Sequence, residues 1–585
     1  MVQQLSWKVG GQQGEGIEST GEIFSTALNR LGYYLYGYRH FSSRIKGGHT
    51  NNKIRVSTTQ VRSVSDDLDI LVAFDQETID VNVHELRVGG VVIADAKFNP
   101  SLPETCTTAT LYAVPFTEIA TELGTSLMKN MVAVGASSAV LHINTEVFEE
   151  VVLEIFGKKG QKVVQKNMEA IKKGADYIRE QLGEQLETMK LDPADGKKRM
   201  FMIGNDAIAL GALAGGARFM PAYPITPASE IMEYLIKKLP QFGGTVIQTE
   251  DEIAACTMAI GANYAGVRAL TASAGPGLSL MMESIGLAGI TEQPVVIIDT
   301  QRGGPSTGLP TKQEQSDLMA MIYGTHGEIP KIVMAPSTVE EAFYDTIEAF
   351  NLAEEYQCPV IMLTDLQLSL GKQSVEPLDY NRVEIRRGKL QQGELEELEE
   401  KQYYKRYRVT EDGVSPRVIP GMKHGIHHVT GVEHDETGKP SESPVNRDDQ
   451  MNKRLRKTKG IRFNTPIHVH SHEKESDILF VGFNSTRGVI EEAMERLEQD
   501  GIKVNHAHIR LIHPFPADEL LPYVQGAKKV VVVENNATGQ LANILKMNIA
   551  SHDKIHSVLK YDGNPFLPQE VYAKSKEMFV LNGNV

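Results

Sequence analysis

The chain has 585 residues, of which 41% are hydrophobic and 23% charged, proportions typical of a globular protein with several cores. Its 60 lysines and arginines stand against 75 aspartates and glutamates, a formal net charge of −15. Because no basic run is interleaved with aromatic residues, this balance argues against nucleic-acid binding.

Hydropathy and cysteine usage narrow the class of protein further. No apolar run reaches the ~20 residues of a membrane span, and the N-terminal residues lack the pattern of a signal peptide. The three cysteines, Cys106, Cys256 and Cys358, are too few for the thiolates that commonly hold an iron–sulfur cluster. Such sparse use favours a reducing cytoplasm. We therefore expect a cytoplasmic protein that binds no membrane and no cluster of its own.

Strand and helix patterns alternate along most of the chain, which predicts an α/β fold with three doubly wound domains. The first domain is predicted at residues 1–190, with strands at LSWKVG, NNKIRVS, DILVAF, GVVIAD and MVAVGA. A helix over 161–182 closes it, and a polar linker follows. The second is predicted at 197–375, beginning with a strand in KRMFMIG and continuing with TVIQTE, RALTAS, PVVIID, KIVMAP and PVIMLTD as buried parallel strands. The third, at 476–585, has strands at DILFVGF, KVNHAHIRLI and KKVVVVEN.

Residues 376–475 differ from these domains, because charge is dense there and apolar periodicity is weak. We predict a polar linker or excursion, ordered or disordered, with little that could fill a core. Two sets of histidines lie in or near it: His424, His427, His428 and His434, and then His468, His470 and His472. The second set alternates along a predicted strand, on one face. Neither set has further ligands at a zinc spacing, so we predict no metal site.

Two Gly-rich segments near the N-terminus suggest binding sites. GGQQGEGIESTG, residues 10–21, departs from the dinucleotide pattern because Ser19 stands at the third glycine position, which favours a packing role over nucleotide binding. The following loop could cradle an anion such as a phosphate, or could equally be a surface loop at a subunit contact. Its candidate residues are Ser43, Arg44, Lys46, Gly47 and Gly48.

Four more loops each follow a predicted parallel strand, where open α/β sheets bind ligands. Their candidate residues are Tyr223, Pro224, Ile225 and Thr226 in PAYPITPASE, Glu252 at the start of a small-residue helix, Gly275 and Gly277 in AGPG, and Arg302, Thr311 and Lys312 in QRGGPSTGLPTKQEQSDL. Acidic residues at a helix N-terminus also have a plain explanation, since the helix dipole favours them by ~0.3–1 kcal/mol. The convergence of four loops nevertheless predicts one ligand site.

Five segments together resemble the 2-oxoacid:ferredoxin oxidoreductases: YPITP (223–227), QTEDEIAA (248–255), AGPG (274–277), QRGGPSTGLPTKQEQSDL (301–318) and VTGVEHDETGKP (429–440). The match is closest to the α subunit of the 2-oxoglutarate type, with a γ domain fused at its N-terminus. The resemblance implies a γ-type domain, a pyrimidine-binding domain for thiamine diphosphate and a transketolase C-terminal-like domain.

The resemblance also implies roles for the candidate residues. Glu252 matches the catalytic glutamate that hydrogen-bonds the cofactor's aminopyrimidine ring. Tyr223, Pro224, Ile225, Gly275 and Gly277 would line that part of the cofactor. Thr226 and Arg302 match positions that hold the 2-oxoacid, Thr311 is a further contact, and a distal carboxylate at Lys312 is our own inference. Coenzyme A becomes a candidate for the 43–48 loop.

Two motifs of the complete enzyme are missing from this chain. It has no GDG motif followed by Asn-Asn, and no CxxC. We therefore expect a β subunit to supply the Mg²⁺–pyrophosphate half of the cofactor site and a 4Fe–4S cluster. The expected assembly is an (αβ)₂ heterotetramer that reduces ferredoxin and forms an acyl-CoA and CO₂ from a 2-oxoacid. The alternatives are pyruvate, branched-chain or aryl 2-oxoacids as substrates, a non-catalytic scaffold subunit, or a nucleotide-binding protein.

Overall fold

The structure is a computed structural model that describes residues 2–42, 47–181 and 189–581. It divides into two compact units. One comprises Met1–Met202, Leu370–Pro377 and Phe566–Glu570, and the other comprises Ile203–Ser369, Leu378–Pro565 and Val571–Val585. Each unit combines helices with sheets that contain parallel strands, so the predicted α/β class is confirmed.

Strands and helices are mixed up to residue 114 of the N-terminal third, as predicted, and helices follow from there to residue 181. In chain order up to residue 202 they are β1 (Gln4–Gln12), α1 (Ile17–Leu31), β2 (Tyr34–His40), β3 (His49–Ser57), β4 (Leu68–Ala73), α2 (Gln76–Asn82), β5 (Leu86–Asp95), β6 (Thr110–Val114), α3 (Phe116–Glu122), α4 (Lys129–Val140), α5 (Glu149–Phe156), α6 (Gln161–Gln181) and β7 (Met200–Met202). Short 3₁₀ turns lie at Val83–Glu85, Ala96–Phe98, Ser126–Met128, Thr145–Phe148 and Gly157–Lys159.

The middle of the chain continues the alternation. Its elements are α7 (Gly204–Ala214), β8 (Phe219–Ala222), α8 (Ser229–Lys238), a 3₁₀ turn (Leu239–Phe242), β9 (Thr245–Gln248), α9 (Glu252–Tyr264), β10 (Leu270–Ser273), α10 (Gly275–Ile290), β11 (Val295–Gln301), α11 (Leu318–Tyr323), β12 (Ile332–Met334), α12 (Val339–Tyr356), β13 (Pro359–Asp365), α13 (Leu366–Leu370) and β14 (Gln373–Val375).

The C-terminal part begins with a long irregular stretch. Its elements are a 3₁₀ turn (Tyr380–Arg382), α14 (Pro444–Gly460), β15 (Ile467–Val469), β16 (Ser476–Gly482), α15 (Thr486–Gln499), β17 (Val504–Ile509), β18 (Leu511–His513), α16 (Ala517–Gly526), β19 (Ala527–Glu534), α17 (Gln540–Asn548), a 3₁₀ turn (His552–Lys554), β20 (Ile555–Leu559) and α18 (Pro568–Leu581).

The first unit is built on a sheet with strand order β6-β5-β4-β1-β3-β2-β14-β7. The strands from β6 to β1 are parallel, and the remaining pairs are antiparallel. Trp7 of β1 is fully buried and stacks on Phe24 of α1 at 4.3 Å between ring centroids. The strand predicted at the start of the second domain is β7, and it pairs in this sheet with β14, where Phe201 lies opposite Ser374.

One strand prediction in the first unit was wrong. MVAVGA lies in α4, a helix whose residues after Lys129 are all buried. A Cβ atom at Gly135 of α4 would lie 1.8 Å from the Ile171 carbonyl of α6, and one at Gly174 would lie 2.1 Å from the Val132 carbonyl. The glycines therefore allow the two helices to pack backbone to backbone. A short apolar run does not distinguish such a buried helix from a buried strand.

Within the described residues, the second unit contains two five-stranded sheets and the two-stranded sheet β8-β9. β9 is parallel to β8 but largely exposed, so the prediction of a buried strand at TVIQTE was wrong. KVNHAHIRLI forms two strands in different sheets, β17 and β18, rather than one. The order β10-β11-β13-β12-β18 is parallel except at β18, and β15-β17-β16-β19-β20 is parallel except at β15. Buried residues of both sheets, among them Ile297, Ile361, Leu479 and Val532, belong to one hydrophobic cluster. The C-terminal sheet therefore shares its core with the middle of the chain.

The expectation that His468, His470 and His472 share one strand face was wrong. Only His468 lies in a strand, because β15 is short. Beyond it the backbone N–H of Ser471 donates to the side chain of Asn505 at 3.1 Å, which ends the ladder.

The polar stretch 376–475 is ordered around buried charges together with a few buried apolar side chains such as Tyr407 and Val418. From Val383 to Ser443 it forms no helix or strand apart from isolated bridges. Lys453 and Lys457 of α14 pair with Glu292 at 2.6 and 2.5 Å, and all three side chains are fully buried. Burial opposes ionisation of Glu292, but the attraction of the two ammonium groups outweighs it and holds its pKa well below the usual range. Buried ion pairs thus help to order this stretch, which its weak apolar pattern did not predict.

Candidate functional site

Four candidate loops meet at one edge of the second unit. β8 and β9 are parallel, β8 bridges in parallel to the residue before β10, and β10 pairs in parallel with β11. Thr226, Glu252, Gly275 and Arg302 follow these four strands in turn. Because the carboxyl ends of parallel strands lie at the same edge, the structure brings the four residues to a common place.

The turn between β8 and α8 is held in place by neighbouring side chains. Arg302 donates from Nη1 to the Thr226 carbonyl at 2.7 Å, and Asn205 donates to the Pro227 carbonyl at 2.7 Å. The turn also closes on itself, since the Ala228 N–H donates to the Ile225 carbonyl at 2.8 Å. A buried arginine and a buried asparagine therefore fix the backbone at Thr226.

Glu252 is set apart from the two acidic residues before it. Asp251 caps α9, accepting from the Ala254 N–H at 2.7 Å, which explains one acid by helix capping alone. Glu250 is exposed, whereas Glu252 is buried with 7% of its surface accessible. A Cβ atom at Gly277 would lie 2.8 Å from Glu252 Cγ and 2.9 Å from its Oε1. The missing side chain at Gly277 is what lets the Glu252 carboxyl lie against the start of α10.

Sequence reasoning missed two carboxyl groups near this edge, Asp299, which is buried, and Asp317, which is half-buried. Asp299 in β11 is fully buried, and within the described residues neither of its oxygens has a hydrogen-bond partner. A Cβ atom at Gly275 would lie 2.6 Å from each carboxyl oxygen of Asp317. Burial and then the Asp317 charge raise the pKa of Asp299 well above its ordinary value. Burial raises the pKa of Asp317 to about 6. The only sequence signal was an aspartate inside the apolar run PVVIID.

The loop after β11 folds back on itself. Gly303 donates to the Lys312 carbonyl at 3.2 Å, and Leu309 donates to the Gly303 carbonyl at 2.8 Å. Thr311 is buried and Lys312 is half-buried, and burial lowers the pKa of the Lys312 ammonium. Arg302 and Lys312 are thus brought to adjacent positions of the backbone at the two ends of a closed loop.

Residues near the C-terminus anchor the second half of this loop. The Gln315 N–H donates to the Asn535 carbonyl at 2.7 Å, and the Asn535 N–H donates to Gln315 Oε1 at 2.9 Å. The Gln315 side chain also donates to Asp365 at 2.8 Å. The Gln313 N–H donates to the Gly563 carbonyl at 3.1 Å. The ENN segment that contains Asn535 is therefore a docking point for the loop.

The N-terminal candidate loop is described only in part. Ser43, Arg44 and Lys46 lie outside the described residues. Gly47 and Gly48 are described, with φ of +75° and +88°, and the Gly48 carbonyl accepts from the Gln13 N–H at 3.1 Å. This contact ties the loop to the neighbouring Gly-rich turn. Anion binding there stays a prediction.

No cluster of three or more histidine, cysteine, aspartate or glutamate side chains among residues 2–42, 47–181 and 189–581 could hold a metal ion. Within the same ranges, no helix combines the length and hydropathy required to cross a membrane.

Three family profiles match successive parts of the chain. Residues 6–177 match the pyruvate ferredoxin/flavodoxin oxidoreductase profile. Residues 210–453 match the profile of the thiamine-diphosphate-binding part of pyruvate flavodoxin/ferredoxin oxidoreductase. Residues 476–571 match core domain II of pyruvate:ferredoxin oxidoreductase. The thiamine-diphosphate-binding profile includes all four strand-end loops.

Relatives match over essentially the full length. A 2-oxoacid:ferredoxin oxidoreductase subunit alpha from Sulfolobus sp is 35% identical, covering 100% of this chain and 99% of the relative. The 2-oxoglutarate oxidoreductase subunit KorA of Mycobacterium tuberculosis is 32% identical, covering 96% of this chain and 89% of the relative.

A solved structure is similar over the same extent. The 2-oxoglutarate:ferredoxin oxidoreductase from Magnetococcus marinus, with 2-oxoglutarate, coenzyme A and succinyl-CoA bound, superposes with a TM-score of 0.92 at 36% identity, covering 99% of this chain and 100% of that one. The resemblance inferred from the motifs is thereby confirmed. The chain belongs to the family of 2-oxoacid:ferredoxin oxidoreductase α subunits.

Proposed function

We propose that this chain, together with a β subunit, oxidises 2-oxoglutarate. In the reaction, 2-oxoglutarate, coenzyme A and two oxidised one-electron ferredoxins give succinyl-CoA, CO₂, a proton and two reduced ferredoxins. One observation supports the choice of substrate: the Gly303–Lys312 backbone hydrogen bond closes the loop after β11, so that two cationic residues, Arg302 and Lys312, stem from its two ends. Two cations on one closed loop suit a substrate with two carboxylates. The solved relative that holds 2-oxoglutarate and succinyl-CoA supports the same choice.

The residues at the strand ends fit the pyrimidine half of thiamine diphosphate. The buried Glu252 carboxyl lies where Gly277 has no side chain, and the buried Ser273 hydroxyl beside it has no partner among the described residues. When bound, thiamine diphosphate supplies the nucleophilic carbon and takes up the electron pair left by decarboxylation. Glu252 holds a proton at the pyrimidine ring nitrogen. Tyr223, Pro224, Ile225, Gly275 and Gly277 line the ring.

The substrate contacts come from two loops that are joined by a hydrogen bond. Arg302 uses one donor on the Thr226 carbonyl at 2.7 Å and another on the Thr307 carbonyl at 3.4 Å. A guanidinium has five N–H donors, so donors remain for the carboxylate next to the reacting ketone. The Thr226 and Thr311 hydroxyls bind the same end of the oxoacid. Lys312 binds the distal carboxylate.

The rest of the catalytic machinery belongs to the partner. We assign Mg²⁺, the pyrophosphate site and a 4Fe–4S cluster to the β subunit, because this chain lacks GDG followed by Asn-Asn and has only three cysteines. We assign the assembly as (αβ)₂, located in the cytoplasm, where free cysteines stay reduced. In this assignment residues 1–190 form the γ-type domain, 197–375 the pyrimidine-binding domain, 376–475 a polar excursion, and 476–585 the transketolase C-terminal-like domain.

The test is dye reduction by this chain co-purified with its natural partner. 2-Oxoglutarate and pyruvate are assayed separately, each with and without coenzyme A. We expect fast reduction that requires both 2-oxoglutarate and coenzyme A, and its loss in a Glu252→Gln complex that still assembles. Activity with pyruvate alone would overturn the substrate assignment. A complex that contains cofactor and cluster but oxidises neither acid would overturn it as well.

A further inference from the structure

Gly563 contacts Lys312 from the C-terminal end of the chain. It lies in the turn after β20, with φ of +84°. A Cβ atom at this position would lie 3.0, 3.2 and 3.5 Å from Cβ, Cγ and Cδ of Lys312, its three nearest neighbours. The aliphatic stem of the lysine therefore occupies the space that any side chain at 563 would need.

Both partners of this contact are fixed through their backbones. The Gly563 carbonyl accepts from the Gln313 N–H at 3.1 Å, next to Lys312. The Lys312 N–H and carbonyl bond to Leu309 and Gly303. Asn535, which holds Gln315 of the loop, donates to the Lys560 and Asn564 carbonyls at 3.4 Å on either side of Gly563. An added methyl group would therefore displace the lysine stem rather than the loop.

We propose that Gly563 is a positioning residue for substrate specificity. Its missing side chain lets Lys312 lie against the 562–564 turn, which sets where the ammonium meets the distal carboxylate of a 2-oxodicarboxylate. The inference rests on the proposed function and extends it: the C-terminal domain, to which the family resemblance gave no site residue, takes part in the choice of substrate.

The contact predicts a selective loss in a Gly563→Ala complex. We expect the KM for 2-oxoglutarate to rise about tenfold, which is the lower end of what a charge-assisted hydrogen bond contributes. The KM for 2-oxopentanoate, which has a methyl group in place of the distal carboxylate, is expected to change less than twofold. The kcat for both substrates should be retained, because Glu252 and Arg302 are untouched.

Gly501 provides the matched control. It also has a positive φ, +80°, but nothing lies within 4 Å of a Cβ atom built there. Gly501→Ala therefore imposes similar backbone strain without a contact, and both KM values should stay unchanged. Lys312→Ala alone should also raise the KM for 2-oxoglutarate. Adding Gly563→Ala to that variant should raise this KM by less than a further twofold.

Each other outcome has a distinct meaning. An equal rise of both KM values, or an effect of Gly563→Ala that persists in full without the Lys312 side chain, would overturn the positioning role while 2-oxoglutarate remains the substrate. If Gly563→Ala does not assemble, adding Lys312→Gly, which also removes the nearest contact atom, Lys312 Cβ, should restore assembly, and failure to do so would also overturn the role. A wild-type complex that does not oxidise 2-oxoglutarate would overturn the proposed function itself.

Discussion

Arg302 carries the sharpest prediction about the candidate site. The planar guanidinium of Arg302 donates to the Thr226 carbonyl at 2.7 Å and has further donors for a carboxylate. Arg302→Lys keeps the positive charge but loses this ability to bind both groups at once. A hydrogen bond to a charged group contributes about 1.5–3 kcal/mol, and about 1.4 kcal/mol is a tenfold change in affinity. Loss of one such bond to the substrate therefore predicts a KM for 2-oxoglutarate raised by about 10- to 100-fold.

The assay is steady-state dye reduction by the assembled complex, with 2-oxoglutarate and coenzyme A varied in turn. The KM for coenzyme A should change less than threefold, because Arg302 is assigned to the oxoacid alone. Arg408→Lys, at an exposed position, is the control and should match the wild type. An unchanged KM for 2-oxoglutarate, or equal rises for both substrates, would refute the assignment.

Three further predictions concern catalysis and stability. Glu252→Gln should lower kcat by ~10²-fold or more without preventing assembly, since it removes the proton-holding carboxyl; near-normal turnover would contradict the role. Glu292→Gln leaves Lys453 and Lys457 buried without a counter-charge, so the free energy of unfolding in denaturant titrations should fall by about 3–5 kcal/mol, whereas exposed Glu411→Gln should not change it. Burial lowers the pKa of His513 to about 4, so the neutral form is favoured in the fold and its contribution to stability is lost as pH falls from 6.5 towards 4. His513→Gln should make the fall in melting temperature over that range shallower, and identical slopes would contradict this.

Three strands of the second unit, β11, β13 and β19, were predictable because they are largely buried apolar runs rich in β-branched residues. β11 and β19 overlap the apolar runs PVVIID and KKVVVVEN. α4 was not predictable as a helix, because what distinguishes it from a strand is contact with α6 at Gly135 and Gly174. The order of the 376–475 stretch was hidden for a similar reason: the charge that pairs with Lys453 and Lys457 lies at Glu292, in another part of the chain.

The residues of the candidate site also fall into two groups, those that the sequence could locate and those that it could not. Thr226, Glu252 and Arg302 could be located because the strand-end rule needs only the position of each strand. Asp299, Asp317 and Gly563 could not, because their significance arises from neighbours distant in sequence. An aspartate within a strand and a glycine within a turn have ordinary local explanations. Only the fold reveals what faces them.

The reciprocal hydrogen bonds between Gln315 and Asn535 bear on how chimeric enzymes of this family should be assembled. The loop after β11 is completed by a turn more than two hundred positions further along the chain. A graft of residues 301–318 from a relative with a different substrate would bring new side chains, but the grafted loop would have to hydrogen-bond to C-terminal turns from the original protein. We expect such grafts to transfer selectivity only when the donor's equivalents of the 534–536 and 560–564 turns are exchanged with the loop.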